Sequence, residues 1–477
     1  MKFGFDNGPH LKDTDHTSKI MMRLFAALLP IIFFAIYKNG IYPYMEGYTN
    51  LYGALRPLLM IILGVGTSII TEVIFTYFIL KKKDDVLHSL KESYAIFPGL
   101  FLVLTLPINT PLWLIILGAF VATFIGKLLF GGFGYNVFNP ALVGVIFVIA
   151  SYGALITSRG GYLNPMEIDT IAGATPLSNL SVAEHLGTWS NIVGHYGSLW
   201  SFFLGFIPGS LGETCKLLIV LAFLYLTVTK VIKWVIPVSY VSTVFVMTAI
   251  IGGMNNMGVW YPLFNILSGG LLFGAVFMAT DPVTSPTTRL GEILFGLGLG
   301  LLTVIFRFLT PYPEGVLTSI LTMNMLVFIL DRIGAKAKFK DMYRYVSISF
   351  ILLMILGLSI FIGNSIKKGR EIPTDDKFKI IDVQTTGNTT VYKVNQKGFH
   401  GPIEATVTLQ NGKIVTIDVT SQNETYWADM QASNYLGTLI NNQTKLDQVD
   451  AFSGATISSN AFKSMITKVL ADYEVHK

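Results

Sequence analysis

Two seven-residue stretches combine residue types that could support covalent chemistry. Asp169-Thr170-Ile171-Ala172-Gly173-Ala174-Thr175 and Asp450-Ala451-Phe452-Ser453-Gly454-Ala455-Thr456 both read D-x-x-[AS]-G-A-T. In each, Gly and Ala beside the last Thr leave its hydroxyl sterically open, so a modifying enzyme could thread the segment as an extended substrate. In the second copy a helix start at Ser458 would offer backbone N–H groups to a phosphate. A tight glycine turn with a capping Thr accounts for one copy. Two copies favour a site of modification.

The elements that must position these hydroxyls belong to a membrane protein. Of 477 residues, 52% are hydrophobic and only 13% charged, roughly half the charge of an ordinary soluble chain. That balance excludes a disordered chain, a disulfide scaffold and a simple cytosolic enzyme. The single cysteine, Cys215, reads as a small buried residue and excludes an internal disulfide, a thiolate iron–sulfur cluster and a Cys-rich zinc site. Apolar runs of near-spanning length lie at 20–37, 55–80, 92–107, 112–130, 136–157, 214–229, 234–252, 262–279, 291–309, 315–331 and 345–363. A shorter stretch at 200–208 reads as interfacial or re-entrant. The first run is not expected to be a cleaved signal peptide, because it follows a charged leader and lacks a small-residue cleavage site.

The net charge of +5 is expected to orient the chain rather than bind nucleic acid. Lys81, Lys82, Lys83 and Lys91, then Lys230 and Lys233, then Arg332 to Arg344 fall on one side with the N-terminus, which is therefore placed in the cytoplasm of a multi-pass cell (inner) membrane protein. The 158–198 loop and the C-terminal domain then lie outside. The expected divisions are a leader (1–19), a membrane domain of about ten spans (20–335), a linker with the eleventh span (336–366) and a small α+β domain (367–477). In that last domain Asn411-Gly412 separates two alternating runs, a strong hairpin signal. A helix is expected from Asn460 to about Tyr473, capped by Ser458 or Ser459, with Phe462, Met465, Ile466 and Val469 on one face.

A second repeat is architectural. Thr105-Leu106-Pro107-Ile108-Asn109-Thr110-Pro111 and Thr280-Asp281-Pro282-Val283-Thr284-Ser285-Pro286 both read T-x-P-x-x-x-P. They stand an odd number of spans apart, as in an inverted-topology repeat. Prolines also recur at span ends without any symmetry. Of the charges near spans, Glu213 and Asp281 sit in polar breaks and read as functional. Lys127 and Arg307 read as snorkelling from span ends. The histidines read as ordinary polar positions, with no metal site expected. Gly296-Leu297-Gly298-Leu299-Gly300 lies inside a span and signals close helix packing, not a nucleotide loop. There is no Rossmann fingerprint and no P-loop.

At the twin motifs the sequence resembles flavinylation sites, in which FMN is joined through its phosphate to the Thr hydroxyl. Gly131-Gly132-Phe133-Gly134-Tyr135-Asn136-Val137-Phe138-Asn139-Pro140-Ala141-Leu142-Val143-Gly144 resembles a signature of RnfD, the D component of the Rnf electron transport complex. It is also similar to the B component of the sodium-pumping NADH:quinone oxidoreductase. Gly209 to Thr214, Phe277 to Pro282 and Tyr312 to Gly315 add to that likeness. From about residue 345 the chain resembles RnfG, the G component of the Rnf complex with its FMN-binding domain, through Gly398 to Ile403 and Asp450 to Thr456. Where that family has Glu-Thr-Pro-Gly, this chain reads Glu424-Thr425-Tyr426-Trp427. Tyr426 and Trp427 could stack on a flavin or serve as core aromatics.

The resemblance implies a fusion of RnfD-like and RnfG-like parts, carrying electrons rather than acting as a complete catalyst. FMN would be attached to Thr175 and Thr456 by an FAD:protein FMN transferase. Asp169, Gly173 and Ala174 would flank the first site; Asp450, Ser453, Gly454 and Ala455 the second, with Glu424 and Thr425 near its ring. Riboflavin would be bound non-covalently among the spans. Asn139, Glu213 and Asp281 are candidates for an ion or flavin pathway. Expected partners are other Rnf-type membrane and iron–sulfur subunits and the lipid bilayer. Two further readings stand beside this one: an electron-export module that serves external acceptors without pumping, and a non-redox channel or transporter.

Overall fold

The computed structural model describes residues 17–81, 90, 92–158, 175–177, 180, 189–213, 215–310, 315–337, 341–371, 378–386, 388–397, 402–410, 412–422, 427–443, 446, 449 and 456–475. It forms two compact units, Met1–Gly369 and Arg370–Lys477.

In the first unit, α1 (Thr17–Ile36) continues through a π-helical turn to Met45, and α2 (Leu51–Ile74) continues similarly to Ile79. They are followed by α3 (Ile96–Thr105), α4 (Leu112–Phe124) and α5 (Pro140–Ser158). A second series comprises α6 (Lys216–Val228), α7 (Val235–Met254), α8 (Trp260–Leu267), α9 (Leu271–Met278), α10 (Arg289–Leu309) and α11 (Val316–Ala337). A further helix, α12 (Asp341–Glu371), ends two residues past the boundary at Gly369. Each apolar run read from the sequence is therefore helical. Among the described residues seven segments are long and apolar enough to cross a membrane; α8 and α9 form one segment bent by 62°, and α3, α5 and α6 are shorter.

The packing repeats with the sequence. α2 packs on α3 and α4, and α4 on α5. In the second series α7 packs on α8 and α10, and α10 on α11, while α1 and α6 pack on each other. Thr280 lies 175 residues after Thr105, and at that same offset Ser268 follows Ser93. Both serines precede a left-handed residue, Tyr94 at φ +53° and Gly269 at φ +65°. The third segment of each half is thus broken at an equivalent point, and a short helix (α3 or α9) then runs to the T-x-P-x-x-x-P turn. The two breaks stand five helical segments apart, the odd spacing of an inverted-topology repeat.

Close approach depends on small residues. A Cβ on Gly99 would collide with the Gly64 carbonyl oxygen, and Cβ atoms on Gly296 and Gly300 would collide with Ser239 and Thr243. The glycine stretch in α10 is accordingly a packing surface. Carbonyls freed at the end of α3 find donors, as membrane depth requires. Gly212 N donates to Leu104 O (2.7 Å) and Leu211 N to Leu106 O (3.3 Å). Arg56 reaches Ile108 O at 2.8 Å and Thr110 O at 3.2 Å.

The second unit is a four-stranded antiparallel sheet in the order β1 (Lys379–Thr386), β2 (Thr389–Lys397), β3 (Pro402–Gln410) and β4 (Lys413–Ser421). Gly412, at φ +80°, makes the turn between β3 and β4 that the hairpin signal anticipated. α13 (Trp427–Ala432), α14 (Tyr435–Asn441) and α15 (Thr456–Val475) follow the sheet. Phe462, Met465, Ile466 and Val469 of α15 are buried with Val394, Ile403 and Val407 of the sheet. The helix starts four residues earlier than Asn460, so Ser458 and Ser459 lie inside its first turn. Thr456 opens the helix instead.

Candidate functional site

Thr175 and Thr456 fall in different units. Thr175 is 3% exposed and is followed by Pro176 and buried Leu177; Leu177 and Leu180 pack in the main membrane core. Thr456 opens α15, where backbone N–H groups lack intrahelical partners and favour an anion. Asp169, Gly173, Ala174, Asp450, Ser453, Gly454, Ala455, Glu424, Thr425 and Tyr426 lie outside the described residues, as do His10, His16, His88 and His185. Trp427 packs as a core aromatic, stacked on Phe462 (centroids 5.9 Å apart, 30° between planes). It also lines a cleft with Ile417, Val419 and Gln431.

Asn139 and Asp281 come together although they belong to different halves. They line a cavity between the halves whose empty space, mouth included, is about 750 Å³. Its walls are largely apolar and aromatic (Tyr94, Phe97, Phe101, Phe133, Phe277), with Lys127, Asn136, Asn139 and Asp281 as polar groups. The Asn139 side-chain oxygen accepts from Ala141 N at 3.1 Å. Asp281 accepts from Thr284 Oγ1 at 3.1 Å. A planar ring with a polar edge suits these walls: aromatic faces for stacking and a few amide and carboxylate groups for orientation. The pocket's residues therefore fit a flavin ring.

Glu213 is elsewhere, at the second helix break. Its Oε1 accepts from Ser210 N (3.1 Å), and its Oε2 occupies the place that a Cβ on Gly270 would need. Lys216 Nζ donates to Gly269 O at 2.8 Å and also to Glu213 O. Arg307 donates to Asn265 O at 2.6 Å and Ser268 O at 3.4 Å. At the first break Lys127 Nζ donates to Ser93 O (2.5 Å) and forms an ion pair with Glu72. Lys127 and Arg307 are each only 2% exposed, so neither snorkels. Each instead supplies donors to carbonyls that a broken helix cannot satisfy. Hydropathy set both near span ends; the 175-residue offset, extended back from the proline turns to Ser93 and Ser268, is the signal that would have found their role.

Fold and sites together define a multi-pass membrane protein of two opposed helical halves with a mixed pocket between them, followed by a small domain with a threonine at a helix start. Residues 5–340 match the NQR2, RnfD, RnfE family, to which the chain belongs, and residues 398–471 match the FMN-binding domain. The chain is 34% identical to the D component of the proton-translocating ferredoxin:NAD+ oxidoreductase complex of Clostridium ljungdahlii, over 71% of its own length and 96% of the relative's. It is 33% identical to the D component of the Na+-translocating ferredoxin:NAD+ oxidoreductase complex of Acetobacterium woodii, covering 68% and 92%. It is 31% identical to the B component of the Na+-translocating NADH-quinone reductase of Chromohalobacter salexigens, covering 69% and 85%. An NQR2/RnfD/RnfE domain is thus joined to an FMN-binding domain in one chain.

Proposed function

We propose that this chain is an electron-carrying subunit of an ion-motive membrane redox complex, with FMN esterified to Thr175 and Thr456 and a further flavin held non-covalently in the pocket between the halves. The observation that carries this reading is the pairing of an FMN-binding domain with two copies of one threonine motif. Bound flavins would supply one-electron chemistry. The chain's own groups would hold and orient them: the two hydroxyls as anchors, the start of α15 as an anion site, and Asn136, Asn139 and Asp281 as polar contacts inside an aromatic pocket. Other Rnf-type membrane and iron–sulfur subunits would exchange the electrons, and an FAD:protein FMN transferase would install the FMN. The N-terminus would be cytoplasmic, with both attachment threonines outside.

The test is in-gel flavin fluorescence of the denatured full chain after co-expression with a flavin transferase. Fluorescence should survive denaturation, fall by about half in Thr175→Val or Thr456→Val, and vanish in the double variant. Mass spectrometry of peptides spanning both threonines locates the adducts. Fluorescence retained in the double variant would overturn the assignment.

A further inference from the structure

Lys127 belongs to two sites at once. Its ammonium is paired with Glu72, which is 1% exposed, and it also lines the cavity between the halves. Among the described residues lining that cavity it is the only Lys or Arg. Glu72 in turn stands in the middle of a polar stripe on α2. Ser68, Glu72 and Thr76 recur at four-residue spacing on one helix face and are 4% exposed or less. Ser68 accepts from Thr123 Oγ1 at 2.9 Å. A buried acid is therefore joined to the cavity by one flexible cation and lies on a row of hydroxyls within otherwise apolar packing. Its counterpart at the other break, Arg307, holds two carbonyls and does not line the cavity. The difference suits the side chains: Lys carries a point charge on a flexible stem, whereas Arg presents a rigid fork.

We propose that Lys127 is a charge switch that links electron arrival in the cavity to cation uptake at Glu72. The inference rests on the reading that the cavity holds a flavin. When a low-potential one-electron donor places negative charge in the cavity, the Lys127 ammonium moves from Glu72 toward it. Glu72 is then an unpaired carboxylate in a dry site, which is strongly disfavoured. It takes up one monovalent cation, H+ or Na+, along the hydroxyl row. One electron and one cation enter together, so the buried charge is conserved. When the electron passes to an acceptor, Lys127 returns to Glu72 and the cation leaves. Lys127 is a positioning group here: it transfers neither the electron nor the cation.

The experiment uses the full chain in nanodiscs with Thr175→Val and Thr456→Val, so that only a releasable flavin remains. That flavin is first counted after denaturation in four proteins: this background alone and with Lys127→Gln, Lys127→Arg or Glu72→Gln. Its reduction potential is then titrated spectroelectrochemically against pH and, separately, against sodium. In the background protein the potential should rise by up to about 59 mV per tenfold increase in one of the two cations. The sodium dependence, or the part of the pH dependence beyond the proton uptake of flavin reduction itself, should disappear in Glu72→Gln and Lys127→Gln while the flavin stays bound. The arm in which the slope falls between the background protein and these variants identifies the cation. Should the Gln variants fold poorly, infrared redox difference spectra of the background protein provide a second readout, with a carboxylate band that changes on reduction. An unchanged slope in flavin-loaded Lys127→Gln, or no slope and no carboxylate change in the background protein, would sink the switch alone. No releasable flavin in any protein would remove the pocket reading and the switch with it.

Discussion

Ser93 and Ser268 occupy equivalent places in the two halves, yet the chain treats the carbonyls beside them differently. At Ser93 a single lysine both satisfies the backbone and neutralises an acid. At Ser268 and Gly269 the work is divided: Arg307 takes Asn265 O and Ser268 O, Lys216 takes Gly269 O, and Glu213 rests against Gly270 with one oxygen on Ser210 N. A break held by one flexible group can be altered by moving that group. A break held by several groups, one of them a forked guanidinium, is harder to rearrange. Symmetry of backbone therefore coexists with asymmetry of charge, and the half with the simpler arrangement is the one whose cation borders the pocket.

This contrast can be broken or sharpened by mutation. The largest effect belongs to Glu72→Gln, which strands the Lys127 charge at a cost of about 3–5 kcal/mol. Monodisperse protein on size-exclusion chromatography should fall sharply and recover with Glu72→Gln plus Lys127→Gln. By comparison Glu213→Gln keeps an acceptor for Ser210 N and should cost only about 1 kcal/mol; an equal loss in the two would erase the distinction. Next comes Gly270→Ala, whose Cβ would collide with Glu213 Oε2 and should cost about 1–3 kcal/mol of overpacking. Its positional counterpart is already Ala95, so Ala95→Gly should shift the thermal midpoint much less. Arg307→Lys gives up the fork for a single ammonium and should lose about 1 kcal/mol, read as faster inactivation in detergent. The smallest effect is backbone strain. Gly269→Ala places a side chain at φ +65° and should cost about 1 kcal/mol, whereas Tyr94→Gly relieves strain at φ +53° but forfeits the Tyr94–Phe133 edge contact and should come out near zero in a chemical-denaturation series.

Much of this architecture could be read from residue pattern, and the failures have specific causes. Apolar runs located each helical segment, and the paired proline turns exposed the two halves because a Pro-rich helix end is a constraint visible in one dimension. Asn411-Gly412 marked the β3–β4 turn for the same reason. The break at Ser93-Tyr94-Ala95 was hidden: it contains neither Gly nor Pro, and only tertiary packing forces Tyr94 into a left-handed conformation. Lys127 and Arg307 were misplaced because hydropathy reports distance along a helix, not which face meets a neighbour whose carbonyls need donors. Asn139 and Asp281 could each be singled out by type and context, but their meeting across 142 residues of chain is a property of how the halves dock. The start of α15 was placed late because two serines offered plausible caps, while Thr456 already fills the first position.

The enclosure of Thr175 carries a consequence for biogenesis. The hydroxyl of a threonine that is 3% exposed, with Pro176 and Leu177 buried beside it, cannot enter the active site of a second enzyme in this arrangement. If the cofactor is esterified there, the segment must be handed over before it settles, or be withdrawn from its seat to receive its cargo. Maturation would then have an order: secretion of the loop, loading, and only afterwards closure.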